Sequence, residues 1–254
     1  MDFNNKVVVI TGASSGIGAS AAVLFARQSA KLVLVGRNEE NLNKVAAQCE
    51  TARGIRPLVV RAELDTDADV EAIVSKAIEE FGAINVLVNN AGVGVCGSVL
   101  DGVGPYDKVM ATNVRAVYLL TSLAAPHLIK TKGNIVNVSS VAAFKPIKDA
   151  DYLPYCVSKA ALDQFTKCVA LEMAQHGVRV NSVNPGGTRT PFAENAGFTK
   201  AQVEELYKAR DKNYPLGKMA ESEEVADLIV YLASDRARSI TGGVHVIDNG
   251  ESLM

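Results

Sequence analysis

Short runs rich in β-branched residues alternate with longer helical patterns along the whole chain, and this alternation limits the fold more than any other feature. Lys6–Thr11 (KVVVIT), Lys31–Val35, Leu58–Arg61, Ile84–Asn89 (INVLVN), Asn134–Val138, Arg179–Val183 and Val244–Asp248 read as strands. Runs that are apolar at consecutive positions fit strands buried on both faces of a parallel sheet. Helical patterns lie near 16–29, 39–51, 67–81, 106–130, 155–176 and 222–233. Strand and helix in strict alternation predict right-handed βαβ units, and so an α/β fold: a doubly wound parallel sheet of about seven strands with helices on both faces.

The 254 residues are compatible with one or two domains. No Pro/Gly/Ser-rich linker interrupts the alternation, so residues 1–254 are expected to form a single domain. One polar stretch breaks the rhythm, Thr188–Leu216, with a helical pattern at 199–211. It falls between two strand–helix units, where open α/β sheets bind ligands, and is expected to be a lid-like insertion spanning 188–216.

Composition narrows the function classes. Hydrophobic residues make up 48 % and charged residues 21 %, enough for a large core and unlike a disordered chain. The 26 basic and 28 acidic residues leave a formal charge of −2, which argues against a nucleic-acid partner. Apolar runs are short and broken, so no membrane span is expected. The N-terminus enters a strand pattern at once, with no basic segment followed by a long apolar one, and the chain ends in ESLM, so a cytoplasmic location is expected. Cys49, Cys96, Cys156 and Cys168 form no C-x-x-C pair, which fits reduced thiols. His127, His176 and His245 are scattered, so no metal site is expected.

The first strand runs into Thr11-Gly12-Ala13-Ser14-Ser15-Gly16-Ile17-Gly18 and then an alanine-rich helical stretch. Glycines suit a tight turn at which a pyrophosphate must approach main-chain N–H groups, and a helix N-terminus adds free N–H donors and the positive end of its dipole. Gly12, Ser14, Ser15, Gly16, Ile17 and Gly18 are therefore candidate phosphate-binding residues. NAD-binding units of this kind carry an acidic residue near the end of the second strand, which holds the ribose 2′-hydroxyl. Here the strand ends Val35-Gly36-Arg37-Asn38. Arg37 could pair with a 2′-phosphate through its guanidinium fork, so NADP(H) is the expected cofactor, with NAD(H) possible.

Downstream, Tyr155-Cys156-Val157-Ser158-Lys159 opens a helical pattern in which Tyr155 and Lys159 share a face. Val138-Ser139-Ser140 ends a strand at the ligand-binding edge. A helix-start tyrosine and a strand-end serine can converge on that same edge.

With these motifs in order, the chain resembles the short-chain dehydrogenase/reductase family over nearly its whole length. The resemblance rests on Thr11–Gly18 (TGASSGIG), Asn89–Gly92 (NNAG), Asn113 in ATNVRA, Asn137–Ser140 (NVSS), Tyr155–Lys159 (YCVSK), and Asn184-Pro185-Gly186 with Thr190. It implies a Rossmann-like fold and an Asn–Ser–Tyr–Lys tetrad at Asn113, Ser140, Tyr155 and Lys159. It also implies carbonyl chemistry, in which the nicotinamide supplies a hydride to carbon and the oxygen takes a proton. A phenol with an ordinary pKa of ~10 exchanges protons poorly at neutral pH, so Lys159 is expected to draw the Tyr155 pKa down. Ser140, the second serine of the pair, is expected to donate a hydrogen bond to the substrate oxygen. The resemblance implies too that Lys159 holds the nicotinamide ribose and that Asn113 positions a water in a proton relay. By the same resemblance Asn90, Ala91 and Gly92 lie along the cofactor, with Asn90 on the adenosine ribose side. Pro185, Gly186, Thr188 and Thr190 lie toward the nicotinamide and its phosphate. Two departures stand out: the Ser140-to-Tyr155 interval is slightly long, and Glu63-Leu64 stands where the family has Asp beside the adenine. Glu63 or the Leu64 backbone would then make that contact.

Tyr152, close to Tyr155 but without a lysine one turn on, reads as loop or substrate wall. Cys96 could line the pocket or pack, and Cys156 is expected to be a small buried side chain. Pro126 is expected to kink or divide the 106–130 pattern. Phe192, Phe198, Leu206, Tyr207 and Tyr214 in the insertion suggest an apolar carbonyl substrate, such as a steroid, terpenoid, lipid or xenobiotic ketone. The expected activity is reversible NADP(H)-dependent carbonyl reduction. Alternatives are an NAD-dependent secondary-alcohol dehydrogenase, a 3-oxoacyl thioester reductase and a non-catalytic dinucleotide sensor. The resemblance further implies a homodimer or homotetramer built through the helices at 106–130 and 155–176.

Overall fold

The structure is a computed structural model and describes residues 3–53, 55–147, 151–192, 199–212 and 214–254. Its main sheet has seven parallel strands: β1 (Val7–Thr11), β2 (Lys31–Gly36), β3 (Leu58–Arg61), β4 (Val86–Asn89), β5 (Asn134–Val138), β6 (Arg179–Pro185) and β9 (Val244–Ile247). The spatial order is β3-β2-β1-β4-β5-β6-β9. In β1 and β2 alternate residues point to opposite layers, which is why both strands are apolar throughout. Val8, Ile10, Leu32 and Leu34 face one core with α1 (Gly16–Arg27), α2 (Glu39–Arg53) and α8 (Ser222–Ala233). Val7, Val9, Val33 and Val35 face the other, with α3 (Asp67–Phe81), α5 (Ala116–Thr131) and α6 (Leu153–Ala174).

After β1 the chain winds outward through β2 and β3, then crosses back to pair β4 against β1 in the register Val8↔Val86 to Ile10↔Val88. That reversal opens a crevice beyond the C-terminal ends of β1 and β4, the place where doubly wound sheets take ligands.

The long helix expected at 106–130 is interrupted, but not at its proline. α4 (Gly104–Met110) passes into a π-helical turn, Ala111–Arg115, before α5 begins. The wider turn directs the buried Asn113 inward, as π-bulges at functional sites do. Pro126 stays inside α5 without dividing it. Both Pro126 and Ser122, one turn earlier, face solvent, so water can satisfy the carbonyl that the proline leaves without a donor.

Two short strands, β7 (Thr188–Arg189) and β8 (Ala220–Glu221), pair in parallel and bring the two ends of the polar insertion together. Between them lies α7 (Lys200–Asp211), close to the helix expected at 199–211. Arg189 ties this segment down through Asp211 and, at 3.4 Å, Glu221, while the Met219 N–H donates to Asp211 Oδ1 at 2.9 Å. Phe198 and the Leu206 side chain lie outside the described residues.

Phe25 of α1 is fully buried and meets Phe3 edge to face at 4.9 Å. Replacing it by alanine should cost about 3–5 kcal/mol of stability in urea unfolding, because the rigid sheet beneath cannot collapse into the cavity. A loss below 1 kcal/mol would show that this core is loosely packed.

Candidate active site

The glycine loop sits at the end of β1. Gly12 and Gly16 have φ of +66° and +54°, which glycine adopts without strain. A Cβ on Gly18 would press on Gly12 O and lie 2.5 Å from Asn90 Nδ2, so α1 can approach the loop only with glycine there. Ser15 gives α1 no side-chain cap and its first turn holds no acidic residue, so its leading N–H groups face the crevice. Such a cradle fits a pyrophosphate. Asn90 braces it: its Nδ2 donates to Thr11 O at 2.9 Å and Gly12 O at 3.2 Å. Thr11 Oγ1 accepts from the Asn90 and Ala91 N–H groups, both at 3.1 Å. The sequence placed Asn90 beside the adenosine ribose; its amide nitrogen here serves the loop.

Arg37 is exposed beyond β2. Glu63 and Leu64 are half-buried after β3, the Glu63 N–H donating to Asp69 Oδ2 at 2.8 Å and its carboxylate 3.7 Å from Arg61. On the far side, Thr190 packs against Gly16, where a Cβ would lie 3.1 Å from its side chain. Its main chain is held by Tyr207, whose hydroxyl donates to Thr190 O at 2.7 Å, and the Thr188 hydroxyl donates to Gly186 O at 3.1 Å. Gly187 N–H donates to Glu251 Oε2 at 2.7 Å, so the turn at 251–253 supports the loop after β6.

Asn113, Ser140, Tyr155 and Lys159 gather at the same edge. Asn113 accepts from Val93 N–H at 2.8 Å and donates to Val93 O and Ser158 Oγ, each at 3.0 Å. Ser158 in turn donates to Tyr155 O at 2.7 Å, linking the π-turn to the first turn of α6. Lys159 Nζ donates to Val138 O at 2.8 Å and stands 5.5 Å from the Tyr155 ring centre. Ser140 Oγ accepts from Ala142 N–H at 3.1 Å and lies within hydrogen-bonding reach of the Tyr155 hydroxyl. Gly92 lies beside the tetrad: a Cβ there would be in van der Waals contact, 3.5 Å, with both Asn113 Oδ1 and Lys159 Nζ.

The cleft has aromatic walls. Tyr152 and Phe192 stand 6.1 Å and 5.8 Å from the Tyr155 ring, and a Cβ on Gly94 would lie 2.7 Å from the Phe192 ring. Cys96, exposed, reaches the Tyr152 hydroxyl; Cys156 is half-buried rather than fully buried as expected.

Comparison with known proteins gives the family. The family described as "Enoyl-(Acyl carrier protein) reductase" matches residues 12–252. The chain is 37 % identical over 251 residues to meso-2,3-butanediol dehydrogenase of Serratia marcescens, covering 98 % of this chain and 96 % of the relative. Among solved structures, a short-chain dehydrogenase/reductase of unknown function from Caenorhabditis elegans, with cofactor, superposes with a TM-score of 0.93 at 37 % identity, covering 99 % and 97 % of the two chains. L-Sorbose reductase from Gluconobacter frateurii, complexed with NADPH and L-sorbose, gives 0.92 at 30 %, covering 100 % and 99 %. The chain belongs to the short-chain dehydrogenase/reductase family. It is accordingly a nicotinamide-dependent oxidoreductase of CH–OH donors.

The electrostatics of this short-chain dehydrogenase/reductase differ from the expectation in one respect. Burial pushes the Tyr155 phenol up to about 12, only partly offset by the Ser140 hydroxyl. Burial also lowers Lys159 to about 8, with Asp163 acting in the opposite sense. The downward pull of Lys159 on Tyr155 is therefore not seen in the protein alone, because the lysine is itself desolvated and turned toward Val138 O. The sequence reading missed three supports: Ser158, Asp163 and Glu251. Ser158 lies inside the YCVSK motif and was visible in principle; Asp163 and Glu251 carry no local signal.

A lysine whose pKa is lower folded than unfolded destabilises the fold wherever both states are protonated. That penalty disappears as pH rises from about 8 to 10.5. Over this window the wild type should gain about 2–3 kcal/mol relative to Lys159→Met in urea unfolding. A constant difference between the two would contradict this account of Lys159.

Proposed function

We propose that the protein catalyses reversible, NADP(H)-dependent reduction of a ketone to a secondary alcohol. The observation that carries this reading is the convergence of Tyr155, Lys159, Ser140 and Asn113 on the crevice edge that also bears the glycine cradle. A bound nicotinamide supplies the hydride. Tyr155 delivers the proton to the carbonyl oxygen, and Ser140 donates a hydrogen bond to that oxygen as charge develops on it. Lys159 holds the ribose side and, when charged, favours the phenolate of Tyr155. Asn113, locked by Val93 and Ser158, positions a relay water.

The preference for NADP(H) rests on Arg37, which is exposed, has no ion pair among the described residues and follows a strand end that lacks a carboxylate. Gly12 to Gly18, Ala91, Gly92, Pro185, Gly186, Thr188 and Thr190 line the remaining path, with Glu63 and Leu64 toward the adenine. The insertion at 188–216 acts as the lid. Its Phe192 and the facing Tyr152 favour an apolar carbonyl compound, with Cys96 at the rim. The relatives are named for a diol and a sugar, so the choice of substrate lies in these walls. All four cysteines are free, and no helix among the described residues is long and apolar enough to cross a membrane. Both features are compatible with a cytoplasmic location.

Purified protein with NADPH and a panel of steroid, terpenoid, quinone and 3-oxoacyl ketones should show turnover. Tyr155→Phe should lower it by about 10²–10⁴-fold while leaving dinucleotide binding intact. Arg37→Ala should reduce the NADPH-over-NADH preference by about 10–100-fold, the worth of a charged hydrogen bond. Binding without turnover on the whole panel would favour a dinucleotide sensor. A preference for NADH unchanged by Arg37→Ala would favour an NAD-dependent alcohol dehydrogenase.

Assembly follows from α5 and α6. Tyr118 and Leu171 are 64 % and 82 % exposed, and a shallow depression of about 520 Å³ beside Tyr118 is lined by Met110, Val114 and Leu119. We read this face as the contact between copies. Light scattering should give a dimer or tetramer; a monomer at micromolar concentration would refute the assignment.

A further inference from the structure

One buried carboxylate beside the tetrad has no place in the reaction described above. Asp163 lies on α6 one helical turn beyond Lys159 and is 7 % exposed. One of its oxygens, Oδ2, accepts from Asn184 Nδ2 at 2.7 Å. The other, Oδ1, is buried with no hydrogen-bond partner in the protein. Asn184 is itself fully buried on β6 and is held by Ser182, whose hydroxyl donates to Asn184 Oδ1 at 2.9 Å. The same Asn184 amide nitrogen also donates to Ser140 O at 3.0 Å. Asp163 thus reaches the strand end that carries Ser140 through a single intervening side chain. Along its own helix it stands four residues from Lys159, whose ammonium is bonded to Val138 O rather than to this carboxylate.

Other charged or titratable groups nearby do not substitute for it. On α6 they are Tyr155, Cys156 and, one turn beyond Asp163, the exposed Lys167, with Tyr152 at its start and Cys96 beyond that ring; β9, beside β6, carries His245 and is followed by the buried Asp248. β5 and β6 present Ser139, Ser140, Ser182 and Asn184 to this region, and the π-turn presents Asn113. α4 also packs on α6, but its Tyr106, Asp107 and Lys108 are all exposed. Arg115 is exposed and paired with Asp67.

We infer that Asp163 is a positioning residue for the proton-transfer pair: its carboxylate is the counter-charge that keeps Lys159 protonated, and through Asn184 it holds Ser140 in place. A carboxylate left with one bare oxygen is costly to bury, and a cation one turn away offsets that cost. The direction in which Asp163 moves Lys159, toward the charged form, agrees with this. The inference rests on the proposed roles of Tyr155 and Lys159 in proton transfer.

Asp163→Asn is the informative variant, because an asparagine carbonyl can still accept from Asn184 while the charge is lost. In the dinucleotide-bound protein, where Tyr155 is proposed to ionise while Lys159 is still charged, loss of the carboxylate lets Lys159 shed its proton at lower pH and leaves Tyr155 without the ammonium that favours its phenolate. The readout is the tyrosinate absorbance titration of the NADP⁺-bound protein. The component belonging to Tyr155 is identified as the one missing in Tyr155→Phe. In Asp163→Asn that component should move up by about one pH unit or more, and kcat/KM for alcohol oxidation at pH 7 should fall about tenfold. Asp163→Glu, which restores the charge, should bring the titration back toward wild type. No shift, or a shift to lower pH, would reduce Asp163 to a structural anchor for Asn184. If Asp163→Asn does not fold, Asp163→Ser takes its place: the same upward shift is expected, and an unmoved titration would overturn the inference. The titration needs no turnover, so an enzyme inactive on every substrate tried would count against the proposed function and leave this result readable.

Discussion

Where β4 returns to pair with β1, the ladder ends and the chain must leave the sheet in two places at once, at Gly12 and at Asn90. That parallel register, Val8↔Val86 to Ile10↔Val88, is the constraint from which the site follows. It sets the glycine loop and the NNAG segment side by side, so that Thr11 Oγ1 and Asn90 Nδ2 can stitch them together. It also places β5 next in the sheet, with Ser139 and Ser140 emerging at the same level. A sheet of another order would scatter these residues over different edges.

Within that frame the active groups are held by buried polar contacts rather than by surface ion pairs. Lys159 is anchored on the last carbonyl of β5, Asn113 on both polar groups of Val93, and Ser140 between Ala142 and the Asn184–Asp163 pair. Each anchor lies in a low-dielectric interior, where a hydrogen bond is strong and an unpaired charge is costly. The same burial that fixes the geometry leaves Tyr155 a poor acid and Lys159 a weak base in the protein alone. Proton exchange at neutral pH therefore depends on how charges are arranged around the pair, and not on proximity alone.

Much of this was legible in the sequence. Valine runs such as VVVIT state that β1 is buried on two faces, and the structure sorts alternate residues into the two cores. The glycine loop, the serine pair and the Tyr–Lys spacing each carry a local pattern, and the fold brings them to one edge. What escaped was set by tertiary contact. The π-turn at Ala111–Arg115 exists because Asn113 must reach Val93 and Ser158, and nothing in ATNVRA announces an extra residue per turn. Pro126, the obvious breaker, sits where solvent makes it harmless. Asp163 looked like an ordinary helix residue, since its partner Asn184 lies 21 residues away on β6. The expected fall in the Tyr155 pKa failed for a related reason: spacing shows that a lysine is near, but not that it is desolvated.

Every proposed role in this crevice depends on where a dinucleotide lies in it, and a crystal structure of the protein grown with NADP⁺ measures that directly. It should show the pyrophosphate on the N–H groups of Gly16 to Gly18 and the 2′-phosphate on Arg37. The nicotinamide ribose should lie against Lys159, with the reactive ring carbon facing Tyr155 and Ser140. A dinucleotide bound away from Tyr155, or a 2′-phosphate pointing to solvent while Arg37 turns elsewhere, would contradict it.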